Sequence, residues 1–264
     1  MKVLVLSGYG INCEDETLNS FKAVGIKGII VHINDLINNP GMLKNFQIFA
    51  IPGGFSYGDH TGSGNAMAHK IKNNLFEDII NFIEKDKLVI GVCNGCQILV
   101  NLGIVPAIEG YKREIALVEN DIATYQCRWV KLKVLNNKSP WLKKINHLDL
   151  PIAHQEGKFI AKKNIINTLI KKKLILCKYI KNNGQSANKQ FPYNPNGSIE
   201  DIAAITNVKG NVLAMMPHPE RAFYKIQKPD WIVNKPKIND KSIKNKKLFA
   251  DGYKIFKNAY NYFK

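Results

Sequence analysis

A cysteine stands where a reactive side chain would be presented to a substrate. Apolar residues 88–90 lead into Gly-Val-Cys-Asn-Gly at 91–95, and an apolar, helix-like segment follows at once. A strand, a sharp turn that carries the nucleophile and a helix form the layout of a nucleophile elbow. Flanking glycines let the neighbouring backbone pass close to that turn, and a helix N-terminus favours a thiolate. The segment therefore predicts that Cys93 is a nucleophile.

Three other interpretations of this cysteine remain open at this point. Cys93 could be a buried structural thiol, or it could form a dithiol redox pair or half a zinc site with Cys96. A zinc site needs a second close pair of ligands, whereas Cys13, Cys127 and Cys177 are isolated from one another in the sequence. No metal site is therefore predicted, and Cys96 is expected to face the helix–sheet interface as a small apolar residue.

A histidine and a glutamate follow a second apolar strand. Residues 212–216 run directly into Pro-His-Pro-Glu-Arg at 217–221. The prolines favour extended backbone, in which residues two apart project to the same side. Glu220 can then orient the imidazole of His218, which is what makes a histidine an effective proton carrier for a nucleophile. His-Pro-Glu alone could be structural, but together with the cysteine turn it predicts catalysis.

Glycines also end an earlier apolar strand. Pro-Gly-Gly-Phe at 52–55 follows the apolar residues 48–51. Glycines at a strand end leave backbone N–H groups free to point at a ligand. One of these N–H groups, together with that of Asn94, is therefore predicted to form an oxyanion hole. The alternative is an ordinary glycine turn.

The elements that must position these residues alternate between strands and helices in the first hundred residues. Strands are predicted at 2–6, 28–33, 47–52 and 87–92, and helices at 14–24 and 64–85. This alternation predicts an α/β fold with a doubly wound, largely parallel sheet flanked by helices. In such sheets the active site lies beyond the carboxyl ends of the strands, where Cys93 and the glycines 53–54 both fall.

Longer strands are predicted in the rest of the chain and add antiparallel strands to this sheet. No linker divides the chain, so 1–264 is predicted to be one domain, with a loop insertion at 225–245 and a C-terminal helix at 246–263. The predicted strands lie at 115–119, 124–135, 151–161 and 174–180, followed by a hairpin of 200–206 and 211–216.

Composition narrows the choice of partners and compartment. The net charge of +17 comes from scattered lysines, since only three of the 38 basic residues are arginine. We interpret this charge as solvated surface and expect no nucleic-acid partner. No run approaches the roughly 18 apolar residues of a membrane span, so no membrane partner is expected. Five cysteines without a disulfide-like pattern indicate a reducing, cytoplasmic compartment.

These motifs together resemble the class I (triad) glutamine amidotransferases. The resemblance rests on Gly-Val-Cys-Asn-Gly-Cys-Gln at 91–97 and Pro-His-Pro-Glu at 217–220. More narrowly, the chain is similar to the family of glutaminase subunits of phosphoribosylformylglycinamidine synthase, an enzyme of purine biosynthesis. The segments that carry this narrower likeness are 53–59, 127–130, 151–154 with 156–157, 194–198 and 215–221.

The resemblance implies roles for particular residues. Cys93 would attack the side-chain amide of glutamine to form a thioester, and His218, oriented by Glu220, would carry the proton to the departing ammonia. Gly54 and Asn94 would form the oxyanion hole. The residues implied to hold the substrate are Gln97, Gly53 and Phe55. Arg128, Arg221 and the segment 154–156 are candidates for support of the glutamine site or for contact with a partner.

The resemblance also implies partners. Ammonia would pass to a synthetase subunit that uses ATP and Mg²⁺ to convert formylglycinamide ribonucleotide to formylglycinamidine ribonucleotide, with a small accessory subunit in the complex. No cofactor is expected on this chain, which would be the glutaminase component of an ATP-dependent C–N ligase. Residues 60–65 and Gln155 depart from the family pattern. The alternatives are another triad amidotransferase subunit or a catalytically inactive regulatory homologue.

Overall fold

The computed structural model describes residues 1–135, 139–234 and 248–264. The alternating first part of the chain forms the predicted strands and helices. Its strands are β1 (Lys2–Ser7), β2 (Lys27–His32), β3 (Ile48–Ile51) and β4 (Leu88–Val92). Its helices are α1 (Glu14–Ala23), α2 (Ile33–Asn38), α3 (Asn65–Asn74), α4 (Phe76–Glu84) and α5 (Asn94–Asn101).

The second part of the chain contributes the remaining strands. These are β5 (Ile115–Val118), β6 (Gln126–Val134), β7 (His147–His154), β8 (Lys158–Ala161), β9 (Ile175–Ile180), β10 (Ile202–Thr206) and β11 (Val212–Met215). The helices are α6 (Lys163–Lys171), α7 (Trp231–Asn234) and α8 (Asp251–Tyr262).

Within the described ranges, nine strands form one sheet in the order β2-β1-β3-β4-β11-β10-β9-β6-β7, and β5 pairs with β8 in a separate antiparallel ribbon. Pairing is parallel from β2 to β11 and antiparallel from β11 to β7. The predicted α/β class and largely parallel sheet with added antiparallel strands are confirmed. Strands β1, β3 and β4 are almost wholly apolar and buried, as expected for strands covered on both faces.

Two predicted elements are each divided in the structure. The helix predicted at 64–85 is two helices, α3 and α4, because Leu75 leaves helical geometry at φ −133°. Two asparagines precede that break, and Glu77 and Asp78 suit the start of a new helix. The strand predicted at 151–161 is β7 and β8, separated by a turn at 155–157. A glycine is needed at position 157 of that turn, because a Cβ there would lie 2.2 Å from the ring Cε1 of His154.

The C-terminal region of the chain packs against the segment that follows β11. The predicted loop at 225–245 contains a 3₁₀ turn at Lys225–Gln227 and α7, and its positions 235–245 lie outside the described residues. The helix predicted at 246–263 corresponds to α8, which begins only at Asp251, and positions 246–247 lie outside the described residues. A Cβ on Gly252 of this helix would lie 1.9 Å from the carbonyl oxygen of Pro219, so α8 packs directly against the His-Pro-Glu segment. No helix in the described ranges is long and apolar enough to cross a membrane.

Candidate active site

Cys93 occupies the sharp turn between β4 and α5. Its backbone has φ +52° and ψ −106°, a conformation that costs a non-glycine residue energy and is typical of functional sites. The N–H of Cys93 donates to the carbonyl of Met215 at 2.8 Å, which ties the turn to the neighbouring strand. Asn94 begins α5, so its N–H has no acceptor within the helix. The geometry is that of a nucleophile elbow.

The glycines on either side of this turn are required by close backbone contacts. A Cβ on Gly95 would lie 1.9 Å from the carbonyl oxygen of Ile51. A Cβ on Gly91 would lie 2.5 Å from the carbonyl oxygen of Gly95. Any larger residue at either position would therefore push α5 away from the sheet. Cys96, on the first turn of α5, is fully buried.

His218 and Glu220 form a buried pair at the end of β11. The imidazole Nδ1 lies 2.5 Å from the Glu220 Oε1, and the two side chains are 1% and 0% exposed. Burial alone would lower the pKa of His218, but the carboxylate of Glu220 and then the sulfur of Cys93 raise this pKa well above its ordinary value. The backbone N–H of His218 donates to the carbonyl of Pro151 at 2.8 Å and holds the residue in place.

Cys93 and His218 come together above Gly53. A Cβ on Gly53 would lie 2.8 Å from His218 Cε1 and 3.5 Å from Cys93 Cβ. Among the described residues, His218 Nε2 has no hydrogen-bond partner of ordinary geometry, while the Cys93 thiol donates to the carbonyl of Ala153 at 3.5 Å. The structure thus brings Cys93, His218 and Glu220 to one edge of the sheet, with the free imidazole nitrogen available to the thiol.

A second cysteine, to which the sequence analysis assigned no role, lies against the same histidine. Cys13 is fully buried and precedes α1. Its sulfur accepts a hydrogen bond from Arg221 Nη2 at 2.9 Å and contributes to the raised pKa of His218. Spacing along the chain offered no signal for Cys13, because its neighbours in space come from distant strands.

A cavity of about 260 Å³ opens beside Cys93. This volume lies just below the range usual for drug-sized ligands, so the cavity suits a molecule the size of an amino acid. Most of the lining residues come from the ends of β3, β4 and β7 and the loops that follow them, while Gln97 lies on α5 and Tyr125 precedes β6. They are Gly54, Phe55, Gly58, Asp59, Ser63, Cys93, Gln97, Tyr125, Ala153, His154, Gln155 and Glu156.

The predicted substrate-binding residues occupy different places around this cavity. Gly54 and Gln97 line it, and Phe55 stands at its rim with 44% of its surface exposed, near the ring of Tyr125. Gly53 lies behind this lining, packed between His218 and Cys13. The substrate-binding roles assigned to Gln97, Gly53 and Phe55 therefore remain predictions.

A chain of side-chain amides fixes the floor of the cavity. Asn94 Nδ2 donates to Asp59 Oδ1 at 3.2 Å and to Gln97 Oε1 at 2.9 Å. Gln97 Nε2 in turn donates to the carbonyl of Glu156 at 2.6 Å. The Ser56 N–H donates to Asn94 Oδ1 at 3.2 Å. Asn94 therefore contributes through its side chain as well as through its position at the helix start.

Two carboxylates give one wall of the cavity a negative charge. Burial raises the pKa of Asp59, and the charge of Glu156 adds to this effect, while hydrogen bonds from Gly64 and Ser63 oppose it. The Ser63 N–H donates to Glu156 Oε2 at 3.0 Å. Glu156 belongs to the segment 154–156 that was a candidate for site support, whereas Asp59 had no predicted role apart from its motif. This wall fits a cationic group on a ligand.

His154 is a buried, neutral histidine at the cavity. Burial, followed by the charge of His218, lowers the pKa of His154 to about 3. Neither ring nitrogen has a hydrogen-bond partner among the described residues. The ring lies against Gly157, on which a Cβ would be 2.2 Å from the ring Cε1.

Arg128 and Arg221, the candidates for support of the glutamine site or for contact with a partner, lie in different surroundings. Arg221 Nε is 4.0 Å from Glu220 Oε1, so this guanidinium belongs to the neighbourhood of the buried pair. The Arg128 guanidinium instead stacks over the ring of Phe191, 4.6 Å from its centroid. Of the two, Arg221 is the one that touches the buried His–Glu cluster.

Comparisons with known proteins agree with this geometry. Residues 1–263 match the family of CobB/CobQ-like glutamine amidotransferase domains. The phosphoribosylformylglycinamidine synthase subunit PurQ of Methanococcus maripaludis strain S2 is 44% identical over 264 residues, which cover 99% of this chain and 97% of that protein. The subunit PurQ of Dehalococcoides mccartyi is 38% identical over 98% of this chain and 96% of its own length. A chain in the structure of PurLQS from Thermotoga maritima superposes with a TM-score of 0.71 at 28% identity, covering 100% of this chain and 99% of that one.

Proposed function

The chain belongs to the family of CobB/CobQ-like glutamine amidotransferase domains, and from this premise we propose that it is the glutaminase subunit of a phosphoribosylformylglycinamidine synthase. Relatives of 38% and 44% identity that span almost the whole chain carry that name. The protein is an enzyme of purine biosynthesis, and it works as a subunit of that synthase. The observation that carries the chemistry is the meeting of Cys93, His218 and Glu220 at one edge of the sheet.

The first half of the reaction forms a thioester. The Cys93 sulfur attacks the side-chain carbonyl carbon of glutamine, and the N–H groups of Gly54 and Asn94 hold the developing oxyanion. His218 Nε2 takes the thiol proton and delivers it to the amide nitrogen, so that the C–N bond breaks and ammonia leaves. Glu220 accepts from Nδ1 and keeps Nε2 directed at the sulfur, and it stabilises the imidazolium that forms meanwhile.

The second half returns the enzyme to its starting state. Water attacks the γ-glutamyl thioester while His218 removes its proton, and that proton returns to the sulfur of Cys93 as the C–S bond breaks. The products are glutamate and a free thiol. His218 thus alternates between base and acid in each half, which requires an imidazole that can reach both the sulfur and the cavity.

The acidic wall of the cavity accounts for recognition of an amino acid. The α-ammonium group of glutamine would lie between Asp59 and Glu156, two carboxylates that line the cavity beside Cys93. A hydrogen bond to a charged group contributes about 1.5–3 kcal/mol, which is enough to favour glutamine over a simple primary amide. Gln97, whose amide is held by Asn94 and by the carbonyl of Glu156, would position the side-chain amide.

The ammonia would be used by a synthetase partner rather than released. The aromatic rim around Phe55 and Tyr125 borders the cavity mouth and is where we place contact with that partner. ATP and Mg²⁺ would bind the synthetase and no cofactor would bind this chain, while a small accessory subunit completes the proposed complex.

The decisive experiment measures glutamine hydrolysis by the full chain, alone and with its synthetase, ATP and formylglycinamide ribonucleotide. Labelling with 6-diazo-5-oxonorleucine should place one adduct on Cys93, and Cys93→Ser should abolish both adduct and turnover. The matched control is Cys127→Ser, because Cys127 is a free cysteine that is exposed. An absent adduct in the complete complex, or equal activity of Cys93→Ser and wild type, would refute the proposal.

A further inference from the structure

The turn at 155–157, which brings Glu156 to the cavity, lies between strands of two different sheets. The pairing of β7 with β6 ends at His154, and the pairing of β8 with β5 begins at Lys158. The backbone polar groups between these two residues therefore need other partners, because a buried backbone group left unpaired costs free energy. Those partners determine where the Glu156 carboxylate lies.

Asn120 holds three backbone groups in and beside this turn. Its Nδ2 donates to the carbonyl of His154 at 3.0 Å, and its backbone N–H donates to the carbonyl of Gln155 at 2.8 Å. Its Oδ1 accepts the N–H of Gly157 at 3.2 Å. Nδ2 also donates to the carbonyl of Thr124 at 3.0 Å. Asn120 is 2% exposed, so solvent does not replace these contacts when the side chain is removed.

Asn196, from the Asn-Pro-Asn-Gly-Ser segment at 194–198, holds the other side of the turn. Its Nδ2 donates to the carbonyl of Gly157 at 2.8 Å. The Asp121 N–H donates to the carbonyl of Asn196 at 3.2 Å, which joins the segments 120–121 and 194–198 to each other as well as to the turn. The segment 194–198 carried part of the family likeness without an assigned role, and these contacts indicate that it stabilises the turn.

We propose that Asn120 and Asn196 are positioning residues that determine the affinity for glutamine through Glu156. This inference rests on the proposed function, in which Glu156 binds the α-ammonium group of the substrate. The Glu156 carboxylate accepts the Ser63 N–H at 3.0 Å, and this contact requires the backbone of the turn at its present position. Hydrogen bonds weaken steeply as distance and angle depart from their optimum, so a displaced turn should bind the ammonium group less tightly.

The reacting groups are held by other contacts. The Cys93 N–H donates to the carbonyl of Met215, and the His218 N–H donates to the carbonyl of Pro151, both at 2.8 Å. Loss of the Asn120 side chain should therefore raise the KM for glutamine and leave kcat nearly unchanged. A general loss of folding would instead lower the fraction of active enzyme, which reduces the apparent kcat and leaves the KM as it is.

The first experiment compares two substrates in the complete complex, glutamine and glutaramate, which is glutamine without its α-ammonium group. Asn120→Ala should raise the KM for glutamine about tenfold or more, as expected for the loss of a hydrogen bond to a charged group. The kcat/KM for glutaramate should not change. Asn196→Ala, which frees the carbonyl of Gly157, should raise the KM for glutamine by less, and it takes the place of Asn120→Ala in each comparison if that variant does not fold.

The matched control is Asn211→Ala. Asn211 is also buried, and its Nδ2 donates to the carbonyls of Ile83 and Lys87 at 2.8 Å and 2.9 Å. It precedes β11 and so lies at the opposite end of that strand from His218. Asn211→Ala should lower the midpoint of thermal unfolding and leave the KM for glutamine unchanged.

A double variant tests whether Asn120 acts through Glu156. The factors by which Asn120→Ala and Glu156→Gln raise the KM would multiply if the two residues acted independently. Because both changes weaken the same ammonium contact, the double variant should have a KM close to that of Glu156→Gln alone.

Three results with an active wild-type complex would overturn this inference and leave the proposed function intact. They are an unchanged KM for glutamine in Asn120→Ala, an equal loss of kcat/KM for glutamine and glutaramate, and factors that multiply in the double variant. A wild-type complex that does not hydrolyse glutamine would overturn the proposed function and this inference together.

Discussion

Replacing Glu220 with glutamine tests the central arrangement most directly. The substitution Glu220→Gln keeps the size and shape of the side chain but removes the charge that faces Nδ1 of His218 at 2.5 Å. Both side chains are almost fully buried, so solvent cannot replace the lost interaction. Breaking a buried ion pair of this kind costs about 3–5 kcal/mol. The same order of energy corresponds to a factor of about 10² to 10⁴ in kcat for a misplaced general base.

The shift in the pKa of His218 determines how the stability loss in Glu220→Gln varies with pH. Burial lowers this pKa, and the Glu220 carboxylate is the largest influence that raises it. Without the charge of Glu220, the pKa of His218 falls, because burial continues to lower it and the largest opposing influence is gone. A raised folded-state pKa stabilises the native protein below the unfolded value of about 6.5 and stops doing so as the pH rises through the raised value. The loss of stability in Glu220→Gln should therefore be largest below about pH 6.5 and decrease as the pH rises.

Two assays separate a catalytic from a structural effect. Glutamine turnover in the complete complex should fall about 10²-fold or more with little change in KM, and the pH profile should shift. Thermal unfolding between about pH 5 and 9 reports the stability difference. An activity within threefold of the wild type, or an unfolding difference that does not vary with pH, would refute the assignment of Glu220 as the partner of His218.

Three further predictions concern the surroundings of the pair. Gly252→Ala should lower kcat and destabilise the fold by about 1–3 kcal/mol, because its Cβ would lie 1.9 Å from the carbonyl oxygen of Pro219, which stands between His218 and Glu220. The control Gly41→Ala, where the nearest atom is 3.8 Å away, should be neutral in kcat and thermal unfolding. Glu156→Gln should raise the KM for glutamine about tenfold or more, whereas Glu77→Gln on the exposed face of α4 should not; equal KM values would contradict the proposed ammonium site. The pKa of His154 is lowered to about 3, so the unfolded protein takes up a proton at this residue before the folded protein does, and the free energy of unfolding decreases as the pH falls below about 6.5. His154→Phe should reduce this decrease, as measured by urea titrations at about pH 5 and pH 8.

The local parts of the site were predictable from the sequence because each depends on neighbours in the chain. The cysteine turn requires a strand, two glycines and a helix within 14 residues (88–101). His218 and Glu220 are held together by two prolines and their spacing of two. The elbow geometry and the buried pair are both found in the structure. Features of this kind can be predicted from local propensity and the hydrophobic pattern alone.

Features that depend on packing between distant segments were harder to predict from the sequence. The break at Leu75 and the turn at 155–157 interrupt patterns that look continuous, because hydrophobic periodicity reports which residues are buried and not where the backbone changes direction. The hydrogen bonds of Asn94 and Gln97 join the first turn of α5 to two separate loops, which carry Asp59 and Glu156. Nothing in the spacing of these three segments indicates that they meet.

Cys13 shows how a non-local cluster could still be anticipated. Its nearest cysteine in the chain is 80 positions away, so a search by ligand spacing rejects it. The sheet order β1-β3-β4-β11 nevertheless places four parallel strands side by side, and parallel neighbours end at a common edge. The segments just beyond those ends contain Cys13, Gly53, Cys93 and His218. Reactive side chains can be grouped by the strand end that they follow instead of by their distance along the chain. This grouping brings Cys13, Cys93 and His218 together before any coordinates are known.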